Sequence, residues 1–413
     1  MTAFVPPVRR GMTVLNRDAF KATFETLGVR VPAKKVGQFM KNISRELLNQ
    51  PRLRNVTTDP ESKDTKLVLL RPNLKKEDLE KLPEDTMKVI EEQGLGVVTH
   101  NFELGYDYWT VEQIFHAVMP EDATDIPSSF TQIGHIAHMN LREEYYPWKQ
   151  LIGEVILDKN KNITSVVNKT SNIDTTFRFF QMEVLAGDGN MIAEVKESGC
   201  RFKFDFSKVY WNSRLHTEHE RLVQEFRAGE YICDVFAGVG PFALPAAKKG
   251  SIITEGLHTY NLDGREFIRT AVRDLQALSP QWKTFDHFVM NLPATAIEFL
   301  DAFNGLYRDQ KNLFDAATSA KLPTIHCHCF TKSTDPKQDI FERVRQAIGA
   351  PVDGERTKLH MVRNVAPKKD MYCISFPLSP DVAFASPSEK RKREEQPTTE
   401  HSAKTAKIEN ETK

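Results

Sequence analysis

The sequence predicts an α/β fold in which a doubly wound, Rossmann-like sheet follows two smaller α+β domains. Between about residues 228 and 380, short apolar strands alternate with helices, which is typical of a parallel sheet covered on both faces. Within this region the run Cys233-Asp-Val-Phe-Ala-Gly-Val-Gly-Pro-Phe242 reads as an apolar strand that enters a glycine turn. The tripeptide Asn291-Leu-Pro293 follows another apolar strand, at the edge where such a sheet opens its ligand crevice.

The elements of this last domain follow from the periodicity of the apolar residues. Strands are predicted at residues 231–236, around Ile252, and at residues 258–262, 285–290, 324–330 and 371–376. Helices are predicted at residues 241–249, Gly264–Leu278, 296–306 and 335–349. The two sets alternate along the chain, which favours strand–helix–strand units over a sandwich or a bundle.

The regions before this domain carry weaker patterns. The first 120 residues are biased toward helix, with helical spacing at residues 36–48 and one strand at residues 65–70. Strands are then predicted at residues 151–157, 163–168, 181–186 and 201–206. The turn Gly187-Asp-Gly189 predicts a hairpin, and a helix at residues 218–226 leads into the last domain. We therefore divide the chain into α+β domains at residues 1–122 and 123–227, a Rossmann-like domain at 228–385 and a disordered polar tail at 386–413.

Composition limits the functional classes. The 413 residues are enough for two or three domains with real cores, and no apolar run approaches the length of a membrane span. The 56 basic and 56 acidic residues cancel, which argues against a non-specific polyanion binder but leaves room for a local basic face.

The cysteines do not predict a metal site. They are five in number and scattered, and the most tempting group is His326-Cys-His-Cys329. A strand would send its two cysteines to one face and its two histidines to the other, so four ligands could not meet on one ion. We interpret these as ordinary strand residues, and we expect reduced thiols and no bound metal.

The glycine turn leaves two cofactor classes open. Gly238, Gly240 and Ala243 also fit a dinucleotide fingerprint, and Glu255 lies near the spacing of its ribose-binding acid. Asn291-Leu-Pro293 favours a different chemistry, because an amide oxygen held by a rigid proline can accept hydrogen bonds from a flat nitrogen base. Asp263-Gly264 precedes a helix, so its carboxylate either accepts from an adenine amino group or only caps that helix. Together these features suggest an S-adenosylmethionine-dependent methyltransferase acting on a planar base.

The longer motifs resemble the eukaryotic and archaeal tRNA (guanine-37-N1)-methyltransferases, which are class I enzymes that use S-adenosylmethionine. The resemblance covers nearly all of residues 100–380. Beside the two motifs above, it rests on Tyr106-Asp-Tyr-Trp109, Gly134-His-Ile-Ala-His-Met-Asn-Leu-Arg142, Val209-Tyr-Trp-Asn-Ser-Arg-Leu215 and Val362-Arg-Asn-Val-Ala-Pro367. It implies methyl transfer to N1 of guanosine-37 of a tRNA by a monomer found in cytoplasm, nucleus and mitochondrial matrix. The basic run Lys390-Arg-Lys-Arg393 and the acid-free N-terminus before Asp18 weakly support these compartments.

The resemblance also implies roles for single residues. Glu218 would be the base that removes the N1 proton, with a pKa raised by burial, although by itself it reads as a first-turn carboxylate that suits the helix dipole. Arg178 would donate to guanine O6 and stabilise the charge that develops there. Asn291 and Pro293 would form the wall that positions the base. The residues implied at the cofactor are His219, Asp234, Gly238, Gly240, Glu255, Asp263, Gly264 and Asn291.

One segment departs from the family pattern. Only ten residues separate Gly250 from Asn261, whereas a strand–helix–strand crossover needs roughly 30 residues. The second strand and its helix are therefore expected to be largely missing, with Glu255 as a substitute for the absent acid. Two other hypotheses stay open: a catalytically impaired tRNA-binding variant and, more distantly, a nicotinamide-dependent enzyme.

Overall fold

The computed structural model describes residues 4–72, 74–170, 181–250, 258–278, 283–314 and 321–386. These form two compact units. Unit 1 comprises Met1–Glu194 and Lys203–Lys208, and unit 2 comprises Val195–Phe202 and Val209–Lys413. Arg178, Glu255, the predicted strand around Ile252 and nearly all of the polar tail lie outside the described residues. The three-domain division of the sequence stays a prediction.

Unit 1 contains two four-stranded sheets, with strand orders β2-β3-β1-β4 and β5-β6-β7-β8. The strands are β1 Ala22–Pro32, β2 Val56–Thr58, β3 Thr65–Leu69, β4 Val97–Leu104, β5 Thr131–Ile133, β6 Ile136–Met139, β7 Ser165–Lys169 and β8 Met182–Gly187. The helices are α1 Val36–Asn42, α2 Glu84–Glu92, α3 Val111–Val118 and α4 Lys149–Lys159.

The helix bias expected of the first 120 residues is incomplete: α1 and β3 begin where predicted, but the rest of a four-stranded sheet was not expected. The eleven-residue strand β1 lies between β3 and β4 and is antiparallel to both. Burial alternates only toward the ends of this strand, for example where Val29 and Val31 flank the less buried Arg30, whereas residues 26–29 are all buried. The prediction overlooked this alternation and gave weight only to the helical spacing that follows it.

Two predictions in the later part of unit 1 are also wrong. Residues 151–157 were expected to form a strand but belong to helix α4. The prediction failed because the apolar pattern of a segment that is buried on most sides is the same for a helix and for a strand. The expected hairpin at Gly187-Asp-Gly189 does not form: β8 pairs with β7, while the next strand, β9 (Ile192–Glu197), pairs with β10 (Cys200–Asp205). The other two predicted strands after α4 correspond to β7 and β8, and the strand at 201–206 corresponds to β10.

Unit 2 is built on a mixed five-stranded sheet of order β11-β12-β13-β15-β14. Its strands are β11 Ile232–Asp234, β12 His287–Met290, β13 Thr324–Thr331, β14 Lys358–Ala366 and β15 Lys369–Pro377. The first three are parallel, and β15 is antiparallel to both β13 and β14. The sheet therefore has parallel, Rossmann-like strands at one edge and an antiparallel hairpin of β14 and β15 at the other. Strand β14 was not predicted from the sequence.

Helices cover both faces of this sheet. They are α5 His216–Glu225, α6 Ala243–Lys248, α7 Gly264–Leu278, α8 Pro336–Ile348 and α9 Pro380–Ala383. One core cluster joins the strands to α7 and α8, and it contains Cys233, Met290 and Cys327. A second, smaller cluster joins Leu222 of α5 and Ala246 of α6 to β11 and β12 on the opposite face. No helix in the described ranges is both long and apolar enough to cross a bilayer.

The predicted strand at residues 258–262 is wrong. These residues form no strand, and the apolar side chains of Tyr260 and Leu262 are exposed. Strand β11 is consequently an edge strand of the sheet in the part of the chain that the structure describes.

Candidate active site

Two polar side chains end neighbouring parallel strands of unit 2. Asp234 is the last residue of β11, and Asn291 directly follows β12, whose Val289 is the register partner of Asp234. Both carboxylate oxygens of Asp234 and Oδ1 of Asn291 are buried and make no hydrogen bond to the described residues. Buried oxygens without partners are rare in folded proteins, so these three mark a place where a polar ligand would supply donors.

The protonation of Asp234 reflects this environment. Burial raises its pKa to about 7, and the charge of His328, which lowers the pKa, offsets only part of this rise. The carboxylate is therefore poised between charged and neutral forms near neutral pH, which is typical of functional sites.

The glycine turn that follows β11 leaves open space at Gly238. Gly238 and Gly240 adopt left-handed φ angles of 56° and 80°, which side-chain-bearing residues rarely tolerate. A Cβ atom on Gly238 would have no atom within 4 Å, so the backbone there faces open space that a ligand can approach. At Gly240 a Cβ would lie 3.2 Å from Leu244, so this glycine serves the close turn into α6.

The loop of Asn291 is fixed to the neighbouring strand. The carbonyl oxygen of Pro293 accepts a hydrogen bond of 2.9 Å from the backbone N–H of Phe330 in β13. The carbonyl oxygen of Leu292 accepts from Thr295 and Ala296, which closes a tight turn. These bonds hold the backbone of residues 291–293 in one orientation.

Glu218 lies in the first turn of α5 and its carboxylate is almost completely buried. Arg221, one turn later, donates from Nε to Oε2 at 2.7 Å and from Nη2 to Oε1 at 2.8 Å. His328 of β13 brings Nε2 to 2.8 Å from Oε1, and His360 of β14 brings Nε2 to 3.5 Å from Oε2. The carboxylate is therefore held by one guanidinium and flanked by two imidazoles.

The pKa expected for Glu218 is wrong in direction. Burial does raise it, but the hydrogen bonds and charges of Arg221 and His328 outweigh burial and lower the pKa to about 2. In this arrangement Glu218 is a fully ionised carboxylate whose basicity is suppressed by its partners.

The predicted cofactor residue His219 is also buried, beside Glu218 on α5. Its Nδ1 lies 2.5 Å from Oε1 of Glu197, and its ring packs edge-on against Phe242 with centroids 4.8 Å apart. Phe242 in turn lies 5.8 Å from the ring of His328, so it joins the glycine turn to both histidines. Whether His219 contacts a cofactor stays a prediction.

Asp263 and Gly264 begin α7. Oδ1 of Asp263 accepts a hydrogen bond of 2.9 Å from the backbone N–H of Arg265. This oxygen therefore caps the start of α7, which was one of the two roles left open for Asp263. A Cβ on Gly264 would lie 2.9 Å from the ring of Phe236, which explains a glycine at this close contact. Their cofactor role, like those of Glu255 and Arg178 outside the described residues, stays a prediction.

The histidines and cysteines of β13 alternate as predicted. Cys327 and Cys329 lie in the core cluster with α7 and α8, while His328 faces Glu218 on the other side of the sheet. Glu218, His328 and Cys373 nevertheless bring one potential metal ligand each to within 4.8 Å of one another. Because Arg221 already occupies both oxygens of Glu218, a cation would have to displace a guanidinium, and the group suits a hydrogen-bonded cluster better.

Sequence reasoning missed the partners of Glu218. Arg221 was visible three residues after Glu218, which is one helical turn and a favourable ion-pair spacing. His328 lies 110 residues away in sequence and was set aside with its neighbours as an ordinary strand residue. A usable signal existed, because His328 and Asn291 each fall near the carboxyl end of a predicted strand of the same sheet.

Comparison with family models matches two consecutive regions of the chain. Residues 111–190 match the model described as TYW2 N-terminal domain. Residues 193–318 match the TRM5/TYW2 methyltransferase domain, and this region contains the glycine turn, Glu218 and Asn291.

Several curated relatives are similar over most of their length. A protein of Batrachochytrium dendrobatidis named tRNA (guanine(37)-N(1))-methyltransferase is 41% identical, over 96% of this chain and 95% of the relative. Proteins of the same name from Xenopus tropicalis and Homo sapiens are 42% and 39% identical, over 92% and 95% of this chain and 81% and 82% of the relatives.

Two solved structures are similar in fold. The Trm5b protein of Pyrococcus abyssi matches with a TM-score of 0.50 at 23% identity, over 86% of this chain and 99% of that one. The aTrm5 chain of a complex with tRNALeu matches with a TM-score of 0.55 at 20% identity, over 86% of this chain and all of that one.

Proposed function

We infer that this chain, which belongs to the tRNA (guanine(37)-N(1))-methyltransferase family, transfers a methyl group from S-adenosylmethionine to N1 of guanosine-37 in tRNA. The observation that carries this function is about 40% identity along nearly the whole chain to relatives of that name. The geometry of unit 2 supports it, because a buried carboxylate, a glycine turn and an unpaired amide oxygen lie on one mixed sheet.

Glu218 acts as the base. Guanine N1 carries a proton at neutral pH, so its lone pair becomes nucleophilic only when a base removes that proton. While Arg221 donates to both oxygens, the pKa of Glu218 stays near 2 and the carboxylate is a poor acceptor. We expect the N1–H of the entering guanine to replace at least one of the two hydrogen bonds that Arg221 donates to Glu218. Losing that bond raises the pKa of Glu218, so the carboxylate can accept the N1 proton.

The residues at the strand ends fit the cofactor. Asp234 and Asn291 offer buried oxygens that need donors, and Gly238 leaves the backbone accessible. When bound there, S-adenosylmethionine supplies an activated methyl group on a sulfonium. The chain's own part is to hold the flat base against Asn291 and Pro293 and to keep water away from the buried carboxylate of Glu218.

Contacts to the tRNA body require basic side chains that are free to reach phosphates. Several cations of unit 1 are already paired: Arg142 with Asp125 at 2.7 Å, Lys149 with Glu183 at 2.6 Å and Lys208 with Asp205 at 2.9 Å. These acidic side chains compete with phosphate for the same cations. Binding of tRNA would therefore replace existing ion pairs within the protein by ion pairs with phosphate. Arg178 is proposed as the partner of guanine O6.

The shortened segment between Gly250 and Asn261 remains part of the proposal. Within the described residues, 258–262 form no strand and β11 is an edge strand, which supports a missing second strand and helix. Glu255 is proposed to replace the lost acid. The inactive tRNA-binding variant and the nicotinamide enzyme lack support, because the near-full-length relatives bear the name of a methyltransferase.

The experiment that tests this function follows radiolabelled methyl from S-adenosylmethionine into unmodified tRNA transcripts that carry guanosine or adenosine at position 37. Label in the guanosine-37 transcript alone supports the function. No label, although the transcript binds, would instead identify a binding protein. We also propose a monomer that works in cytoplasm, nucleus and mitochondrial matrix, which sedimentation and fractionation would test.

A further inference from the structure

A row of polar side chains runs from the partly exposed Glu230 into the interior of unit 2. Nε2 of His287 lies 3.2 Å from Oε2 of Glu230, and Nδ1 of His287 lies 2.9 Å from Nε2 of His326. Nδ1 of His326 lies 2.8 Å from Oγ of Ser375. His326 is 1% exposed and Ser375 is 7% exposed, so the inner part of this row is shielded from solvent.

The row continues to Glu218 through the paired strands β13 and β15. In their antiparallel register His326 lies opposite Ser375, and His328 lies opposite Cys373. Sγ of Cys373 is 3.8 Å from Oγ of Ser375, and it shares the buried cluster of His328 and Glu218. Nε2 of His328 completes the row at 2.8 Å from Oε1 of Glu218.

The outer hydrogen bonds all have one direction. The carboxylate of Glu230 can only accept, so Nε2 of His287 donates to it. Nδ1 of His287 then accepts from Nε2 of His326, and Nδ1 of His326 accepts from the hydroxyl of Ser375. Burial lowers the pKa of His326 well below its usual value, which agrees with a neutral ring in this role.

The inner histidine carries the charge. His328 faces Glu218 from α5, Cys373 from β15 and Asp234 from β11, with Arg221 and His360 bound or close to the same carboxylate. Burial opposes its protonation, but Cys373 and Glu218 outweigh burial and raise the pKa of His328 to about 10. With Nε2–H directed to Glu218, its second proton sits on Nδ1, which is buried and makes no hydrogen bond to the described residues. The row therefore has a gap between His328 and Cys373, whose ligand atoms belong to one cluster within 4.8 Å but share no hydrogen bond.

We propose that this row is a proton relay for the base Glu218, an inference that rests on the methyl-transfer function proposed above. When Glu218 takes the proton from guanine N1, the N1–H bond breaks and a carboxyl O–H bond forms. His328 then loses its compensating negative charge and releases its Nδ1 proton across the gap to Sγ of Cys373, while the thiol passes its own proton to Oγ of Ser375. Each following group passes its own proton outward, and Glu230 receives the last one and exchanges it with water. Glu218 gains one proton and His328 loses one, so the total charge of the buried cluster stays constant. The proton transfer therefore creates no additional positive charge beside Arg221.

Rate measurements test the relay on the full chain. Ser375→Ala removes the hydroxyl that links the two halves, and His287→Gln interrupts the row at its partly exposed end. We expect each to lower the single-turnover rate on the order of 10-fold, with a larger solvent deuterium isotope effect and unchanged tRNA affinity. Ser375→Thr, which keeps the hydroxyl, should restore the rate. Ser379→Ala is the matched control, since its buried hydroxyl has no partner in the described residues. Wild-type rates between pH 6 and 9 in both interrupting variants would overturn the relay.

A second readout needs no turnover. In ¹⁵N-histidine-labelled protein, NMR should show His326 neutral with its proton on Nε2, and His328 with protons on both ring nitrogens at pH 7. In Glu218→Gln, His328 should become neutral. A proton on Nδ1 of His326, or a neutral His328 in the unsubstituted chain, would overturn the relay even if methyl transfer occurs. Loss of methyl transfer with these tautomers intact would instead contradict the proposed function.

Discussion

At the scale of single residues, the pairing of Glu218 with Arg221 is the most consequential contact of unit 2. A carboxylate that is 2% exposed would ordinarily have a raised pKa, yet two guanidinium hydrogen bonds hold it ionised. Removing Arg221 would leave the buried charge of Glu218 without its guanidinium partner, which is costly. The charge of Glu218 is therefore already balanced before substrate binds. Activation depends on replacing a hydrogen bond from Arg221 with one from the substrate.

Replacing Glu218 with glutamine should abolish the base while keeping the shape of the side chain. We expect Glu218→Gln to lower the single-turnover rate of methyl transfer on the order of 100-fold or more, because the amide cannot take up the N1 proton. The matched control is Glu220→Gln, an exposed position on the same helix. Rapid-quench assays at saturating substrates measure both. Equal rates in the two variants would exclude Glu218 as the base.

Asp234 predicts a distinctive dependence of stability on pH. Its folded-state pKa, about 7, is higher than the 3.8 usual for an aspartate side chain, so between these values the folded state binds more protons than the unfolded state. The free energy of unfolding should therefore fall as pH rises through this range. Asp234→Asn removes the effect and should stabilise the protein on the order of 3 kcal/mol at pH 8, and much less at pH 4.

Denaturant titrations at both pH values measure this difference, with the exposed Asp309→Asn as control. A stabilisation by Asp234→Asn that is the same at pH 4 and pH 8 would contradict a raised pKa. The variant should also bind S-adenosylmethionine more weakly, as expected when stability and function compete at one residue.

Part of the site could be predicted from the sequence at this scale. Gly238 and Asn291 follow predicted strands, and strand ends meet at one edge of a sheet, so local pattern was enough to place them. Asp234, the last residue of β11, was singled out only by the family resemblance. The pKa of Glu218 could not be predicted, because it depends on His328 from a distant strand as well as on Arg221. The polar row behind His328 needed the register of β13 and β15, which no local pattern gives.

At the scale of secondary structure elements, two glycines in helices distinguish the effect of close packing on stability from the effect of helix propensity. A Cβ on Gly153 of α4 would lie 2.6 Å from Cβ of Leu185 in β8, whereas a Cβ on Gly37 of α1 would meet nothing within 4 Å. Gly37→Ala should therefore stabilise unit 1 by about 0.5–1 kcal/mol through helix propensity. Gly153→Ala should destabilise it by about 1–3 kcal/mol, since overpacking outweighs the same gain.

Chemical denaturation of both variants measures these opposite signs. Stabilisation by Gly153→Ala would show that α4 does not pack closely on β8. Destabilisation by Gly37→Ala would show that the surroundings of α1 are crowded.

The elements differ in how well their pattern specifies them. Helix α7 has a wide apolar stripe and the cap of Asp263, and its predicted bounds, Gly264–Leu278, agree with the structure. Helix α4 is buried on most sides, so its apolar run carried no clear period and was assigned to a strand. Residues 258–262 have strand-like composition but no partner strand in the described part of the sheet. Composition predicts pairing only where a partner exists.

At the scale of the whole molecule, cofactor binding should be visible as stability. A ligand that binds only the folded state at 100 times its dissociation constant adds about 2.7 kcal/mol, which corresponds to several degrees in the unfolding midpoint. We expect S-adenosylmethionine to raise the midpoint and NAD⁺ to leave it unchanged, as differential scanning fluorimetry would measure. A shift with NAD⁺ alone would favour the nicotinamide enzyme, and no shift with either would favour the impaired variant.

The position of the transferred methyl group tests the role of Glu218 most directly. Guanine N1 must lose a proton before it attacks, whereas guanine N7 carries none and needs no base. Nucleosides from a guanosine-37 transcript, treated with the chain and S-adenosylmethionine, can be separated and identified by mass spectrometry. We predict 1-methylguanosine from position 37 and its loss with Glu218→Gln. Methylation at N7, or 1-methylguanosine formed equally well by Glu218→Gln, would contradict a mechanism in which this buried carboxylate removes the N1 proton.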